Sequence, residues 1–196
     1  MDIKWGSGAF MRTVEDASLL AESLKTIALK FNKKFTAYIT NMNDPLGSTA
    51  GHSLELIECV EILKGKIKSD LSDLSIRLAA EMILMAQICP DFESAHKMAQ
   101  EQIDNGKALI EFEKLIQRQG GDTSFINDYS LLPACSLRTD LKANQNGFLQ
   151  INECANLGHL LIELGAGRKQ KIDKIDFAPG LIFYKKTGDQ VKEGDV

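Results

Sequence analysis

The residues with the most chemical potential open the chain. Lys4-Trp5-Gly6-Ser7-Gly8-Ala9-Phe10-Met11 carries two glycines that tolerate positive φ and let backbone approach a ligand closely, followed by two large apolar side chains. Such a stretch can shape the wall of a pocket through backbone geometry and an aromatic face. Phe10 is either that face or a core residue beneath a tight turn. Lys4 reads as a strand residue pairing with Asp2 in preference to a phosphate ligand. Asp44, His52 and Arg168 are further groups able to move protons or stabilise charge. Cys59, Cys89, Cys135 and Cys154 are widely spaced without a Cys-x-x-Cys and read as reduced, structural thiols.

The elements that position this stretch follow from periodicity. Ile3 and Trp5 lead into the glycine turn as the end of a strand. Thr13 then starts a helix as N-cap, with Asp16 three residues on. Val14, Ala17, Leu20, Ala21, Leu24, Ile27, Ala28 and Phe31 recur at three- and four-residue intervals, predicting an amphipathic helix laid on a sheet over 13–32. Lys34 to Thr40, rich in β-branched and aromatic residues, predicts a second strand. Strand, helix, strand in so short a span is a βαβ unit with parallel strands. Asn41 to Gly47 is turn chemistry at the end of the second strand, so two loops after two parallel strands could line one crevice.

Beyond Gly51 the pattern predicts four helices: Leu54 to near Gly65, Leu71–Ile88, Phe92–Asp104 and Lys107–Gln119. Met82, Met85 and Met98 read as core filler there, and His96 as a solvated side chain. After Pro133 the composition shifts. Strands are predicted at Cys135–Leu141, at Leu149 and Ile151, and at Leu181–Tyr184. A helix is expected from Glu153 to Leu164, and a hairpin-type turn at Thr187-Gly188-Asp189.

Composition excludes several classes. With 196 residues, 44% of them hydrophobic, the chain can bury a sizeable core, and its net charge of -4 offers no basic field to nucleic acid or to anionic membranes. No apolar run reaches the ~20 residues of a membrane span and no signal-peptide pattern opens the chain, so a cytoplasmic location is expected.

Asp2-Ile3-Lys4-Trp5-Gly6-Ser7-Gly8-Ala9-Phe10-Met11 resembles the Asp-x-Lys-x-Gly-x-Gly-Ala-Phe-Met block of the thymidine/pyrimidine-nucleoside phosphorylases. Thr40 to Gly47, Gly51-His52-Ser53-Leu54-Glu55 with Glu58, Asp104 to Ala108, Leu164 to Arg168 and Gly188-Asp189-x-Val191 continue the likeness in order. The resemblance spans essentially the whole chain and corresponds to the second half of such an enzyme. It implies an α/β fold in which residues 1–143 form a segment of a parallel-sheet domain with flanking helices. Residues 144–196 then form a C-terminal α/β hammerhead, lipoyl-like module that stops partway through its pattern with an open edge.

The resemblance also implies a function. The family carries out reversible phosphorolysis of pyrimidine (deoxy)nucleosides, thymidine among them, to free base and (deoxy)ribose 1-phosphate, a pentosyl transfer in nucleoside salvage with phosphate as co-substrate and no organic cofactor. Its phosphate loop and its catalytic His, Arg, Ser and Lys precede the matched block, so no catalytic residue is assigned in this segment. The isolated chain is expected to be inactive. Phe10 falls on the substrate-binding Phe that meets the pyrimidine ring. Leu46, Thr49 and Glu58 fall on positions that hold potassium in several members, carbonyl and carboxylate oxygens being suited to a hard cation. Trp5, Asp44 and His52 depart from the family pattern around the crevice. The full-length enzymes form homodimers. Two other functional classes are open to this sequence. A swinging-arm carrier fits poorly, because Lys185 and Lys186 lie at a strand end and not at a hairpin tip. A non-catalytic remnant or split-gene half serving as an interaction module is the alternative.

Overall fold

The structure, a computed structural model, describes all residues from Met1 to Val196. Six α-helices, two 3-10 turns and six short strands form a mixed α/β chain that divides into two compact units. One comprises Met1–His52 with Ala134–Val196, and the other Ser53–Pro133. The division expected at 143/144 comes from the family resemblance, whereas the compact units follow which segments touch, so the two need not coincide.

In the first unit, β1 (Asp2–Trp5) and β2 (Tyr38–Asn41) pair in parallel, Ile3 opposite Ile39 and Trp5 opposite Asn41. This two-stranded pair is the extent of the parallel sheet. The helix between them, α1 (Val14–Lys30), begins as its sequence dictates: Thr13 is extended at φ -121 and its hydroxyl accepts from the Asp16 amide, meeting one of the helix's orphan N–H groups. Ala17 is the buried residue of α1. Val14, Leu20, Ile27 and Phe31 of the repeat are exposed, so the apolar repeat here is not consumed by core burial. Lys34–Thr36, expected to open β2, lies outside the strand.

The C-terminal part of this unit adds β4 (Gly147–Phe148), α6 (Cys154–Glu163), β5 (Leu181–Ile182) and β6 (Gln190–Val191). Three expectations are corrected here. Cys135–Leu141 forms no strand, and Leu137 and Leu141 are 87% and 89% exposed: their alternation has no face to bury. The strand expected at Leu149 and Ile151 sits instead at Gly147–Phe148. The Thr187-Gly188-Asp189 turn exists, with Gly188 at φ +94, but it closes no hairpin. β5 pairs antiparallel with β3 (Thr49–Ala50), and β6 pairs antiparallel with β4.

The second unit is helical: α2 (His52–Leu63, whose first residue belongs to the first unit), α3 (Asp70–Met85), α4 (Phe92–Asp104) and α5 (Lys107–Arg118). Ser69 and Ser72 close a reciprocal capping box on α3, and Asp91 caps α4 through the Ser94 amide at 2.8 Å. Val60, Phe125 and Ile126 form its buried centre, with Leu56, Leu109, Phe112 and Ile116 against them; a second cluster gathers Ala80, Cys89 and Ala95. Met82 is 66% exposed and Met98 is exposed, so neither fills the core as expected, while Met85 is half-buried; the cluster is filled instead by Ile83, Leu84 and Phe92 packed against the alanines.

Candidate functional site

The two loops expected to share a crevice do meet. After β1 the chain reverses on Gly6, at φ +118, whose amide bonds the Met11 carbonyl at 2.9 Å while Ala9 N–H returns to the Gly6 carbonyl at 3.1 Å. The Gly8 amide donates to the Met42 carbonyl of the β2 loop at 2.9 Å, and the Met42 amide to the Trp5 carbonyl at 2.7 Å. Both glycines are required by contact. A Cβ on Gly6 would lie 2.7 Å from Asn43 Oδ1, and one on Gly8 would lie 2.8 Å from the Met42 carbonyl oxygen.

Phe10 stands at the tip of this turn, 100% exposed. The reading of Phe10 as a core residue is therefore removed; its ring is free to meet a flat ligand. Lys4 pairs with Asp2 at 2.8 Å, and Thr40 Oγ1 also donates to Asp2. Burial pushes the Asp2 carboxyl up, yet the Lys4 ammonium and the Thr40 hydroxyl together hold it below its ordinary value. That engages Lys4 as a sheet ion pair.

The remaining charged groups do not assemble into an acid–base set. Asp44 accepts from the Thr187 hydroxyl, the His52 ring meets the Phe177 ring edge-on at 5.1 Å, and Arg168 is exposed after α6. No three His, Cys, Asp or Glu side chains come together as a metal-binding group, and none of the four cysteines is in a disulfide. Burial, with the charges of Asp44 and Glu153 adding to it, pushes the Cys154 thiol up, so it is a poor nucleophile at neutral pH. Of the residues assigned to potassium, Leu46 is exposed in the β2 loop, Thr49 lies in β3 opposite Ile182, and Glu58 is buried on α2 in the second unit at 5% exposure.

What the sequence did not reveal is that the C-terminal segment holds both loops. The Cys154 amide at the start of α6 donates to Ser7 Oγ at 2.8 Å; Arg12 Nη1 donates to the Ser7 carbonyl at 2.6 Å and to Glu153 at 2.9 Å. Thr187 Oγ1 donates to Asp44 and accepts from the Ile151 amide at 3.0 Å, while Lys186 Nζ reaches the Pro45 carbonyl at 3.1 Å. The Ser7–Cys154, Arg12–Glu153, Asp44–Thr187 and Pro45–Lys186 contacts join residues more than a hundred positions apart and have no local signature.

Residues 148–196, which contain most of those anchoring groups, match the family model described as the pyrimidine nucleoside phosphorylase C-terminal domain. The whole chain is 37% identical over 195 residues to a pyrimidine-nucleoside phosphorylase of Staphylococcus haemolyticus (strain JCSC1435), and 38% identical over the same length to one of Staphylococcus aureus (strain bovine RF122 / ET3-1). The chain is related over its whole length to the C-terminal part of the pyrimidine-nucleoside phosphorylases. It spans 45% of the length of each of these two relatives. No helix is long and apolar enough to cross a membrane. The solvent-facing Phe10 turn and the β2 loop lie at the C-terminal ends of adjacent parallel strands, the place where open α/β sheets put ligands.

Proposed function

We propose that this chain supplies one wall of a pyrimidine-nucleoside phosphorolysis site, with Phe10 as the residue that meets the base. The observation that carries the reading is the conjunction of a fully exposed Phe10, on a turn tied to the neighbouring strand-end loop, with a whole-length match to pyrimidine-nucleoside phosphorylases. In the reaction a phosphate oxygen forms a bond to C1 of the (deoxy)ribose as the C1–N bond to the pyrimidine breaks. The bonding pair leaves with the base, which takes up a proton. Positive charge develops on the sugar and negative charge on the base, so acceleration depends on preorganised donors at the base and a clamp on phosphate. Lys4, Asp44 and His52 are engaged elsewhere in the fold, and the reading therefore assigns those donors to the portion of the relatives that precedes the matched region. This chain's own part is to bind and orient.

The rest of the resemblance travels with this reading. Residues 148–196 act as the family's hammerhead-type module. Potassium is assigned to the carbonyls of Leu46 and Thr49 and the carboxylate of Glu58 on the resemblance alone, and the complete enzyme is a homodimer acting on thymidine or uridine. The test is a fusion of the preceding portion of the Staphylococcus haemolyticus relative to Met1 of this chain. Phosphorus NMR of that protein with thymidine and phosphate should show a sugar 1-phosphate signal growing with time. A soluble, folded fusion that forms none would favour a non-catalytic interaction module.

A further inference from the structure

The helix α6 (Cys154–Glu163) begins without a cap of its own. Its N-cap residue, Glu153, makes no side-chain hydrogen bond to the first turn, although an α-helix leaves its first N–H groups without internal partners. The acceptor comes from the other end of the chain: Ser7 Oγ takes the Cys154 amide at 2.8 Å, at a residue only 8% exposed. Ser7 commits its other polar groups as well. Its amide donates to Asn43 Oδ1 at 2.8 Å, and its carbonyl accepts from Arg12, which also reaches Glu153. One residue thus joins the β1 turn, the β2 loop and the start of α6, three residues before the exposed Phe10.

We infer that Ser7 is a positioning residue: by capping α6 in trans it fixes the turn that presents Phe10, so that the C-terminal segment sets the geometry of the base-binding wall. The functional half of this inference rests on the reading under Proposed function; the structural half does not. A hydroxyl is the necessary group. Alanine keeps the turn's backbone but leaves the Cys154 amide without its acceptor, whereas threonine restores the oxygen.

Two measurements separate the halves. In the full chain, hydrogen exchange at Cys154 and at Gly6–Met11 should accelerate about fivefold in Ser7→Ala and stay near wild type in Ser7→Thr, the scale of a lost helix cap, with α3 and α4 unchanged. Equal exchange in all three proteins overturns the clamp. In the fusion protein described above, Ser7→Ala should raise the nucleoside KM about fivefold while leaving the phosphate KM and kcat unchanged, as loss of ground-state and transition-state binding alike requires; Ser7→Thr should restore it. Faster exchange with unaltered nucleoside KM would make Ser7 a structural cap only and overturn its positioning role. A fusion that is inactive with Ser7 intact counts against the phosphorylase reading, and hydrogen exchange alone then decides whether the clamp stands.

Discussion

Gly51 and Pro179 touch so closely that a Cβ on Gly51 would lie 2.5 Å from the Pro179 carbonyl oxygen, at a backbone φ of +125 that L side chains rarely adopt. This contact lies beside the β3–β5 pairing, where the Phe183 amide bonds the Ser48 carbonyl at 2.8 Å. Gly51→Ala should therefore destabilise the protein by roughly 2 kcal/mol or more. Gly65, at φ +72 with open space around its Cβ position, gives the control: Gly65→Ala should cost about 1 kcal/mol. Urea unfolding of the two variants checks the order, and equal losses would refute the contact.

In the helical unit, the Tyr129 hydroxyl donates to Glu61, which also pairs with Lys66 at 3.1 Å and Lys64 at 3.5 Å. The Tyr129 bond holds the Glu61 carboxyl below its ordinary value against burial, with Lys66 and Lys64 assisting. A lowered carboxyl contributes stability above its unfolded pKa of about 4.3 and loses it as pH falls further. Burial, then the Glu61 hydrogen bond and charge, push the Tyr129 phenol up to about 12. That contribution is complete below the unfolded value of about 10 and is lost as pH rises through the folded one. Tyr129→Phe should cost about 1.5 kcal/mol near neutrality. The gap to wild type should narrow at both the acid and the alkaline end of a urea-midpoint series, and a pH-independent gap would contradict the network.

Phe10 offers a cleaner separation of stability from function. At 100% exposure its removal costs no packing, so Phe10→Ala should leave stability unchanged within about 0.5 kcal/mol. In the fusion with the relative's preceding portion it should raise the nucleoside KM about fivefold and leave the phosphate KM alone, an aromatic wall being worth about 1 kcal/mol. Equal changes for both substrates would reject Phe10 as the base-facing residue.

The way these features were legible differs by range. Helices announced themselves through local periodicity and caps: Thr13 at α1 and the Phe92–Asp104 bounds of α4 follow from residues a few positions apart. The two-residue strands did not, because a pair such as Ala50 with Leu181 depends on a partner more than a hundred residues away. Apolar content also misled where burial was absent. Leu137 and Leu141 suggested a strand, and Met82 a core position, yet all three face solvent. The candidate site shows the same split. The glycine turn and Phe10 stood out as a motif, while the Ser7–Cys154 and Asp44–Thr187 anchors required the folded chain.

Potassium dependence addresses Glu58. If its carboxylate contributes to cation binding, Glu58→Gln in the fusion protein should need about tenfold more potassium for half-maximal activity, since the variant keeps the side chain's shape and removes its charge. An unchanged potassium requirement would reject the assignment. As Glu58 is only 5% exposed, thermal unfolding of the variant should be run alongside to exclude simple destabilisation.

The most direct test of this chain's part in phosphorolysis is phosphate-dependent release of thymine and uracil from thymidine and uridine, by this chain alone and by the fusion. Positioning and preorganised charge supply most of an enzyme's acceleration, and in this reading the chain holds a base wall without either. The prediction is release by the fusion, abolished when phosphate is omitted, and none above buffer by the chain alone. Phosphate-dependent release by the chain alone would contradict the account and turn attention to Lys4, Asp44, His52 and Arg168 as its catalytic groups.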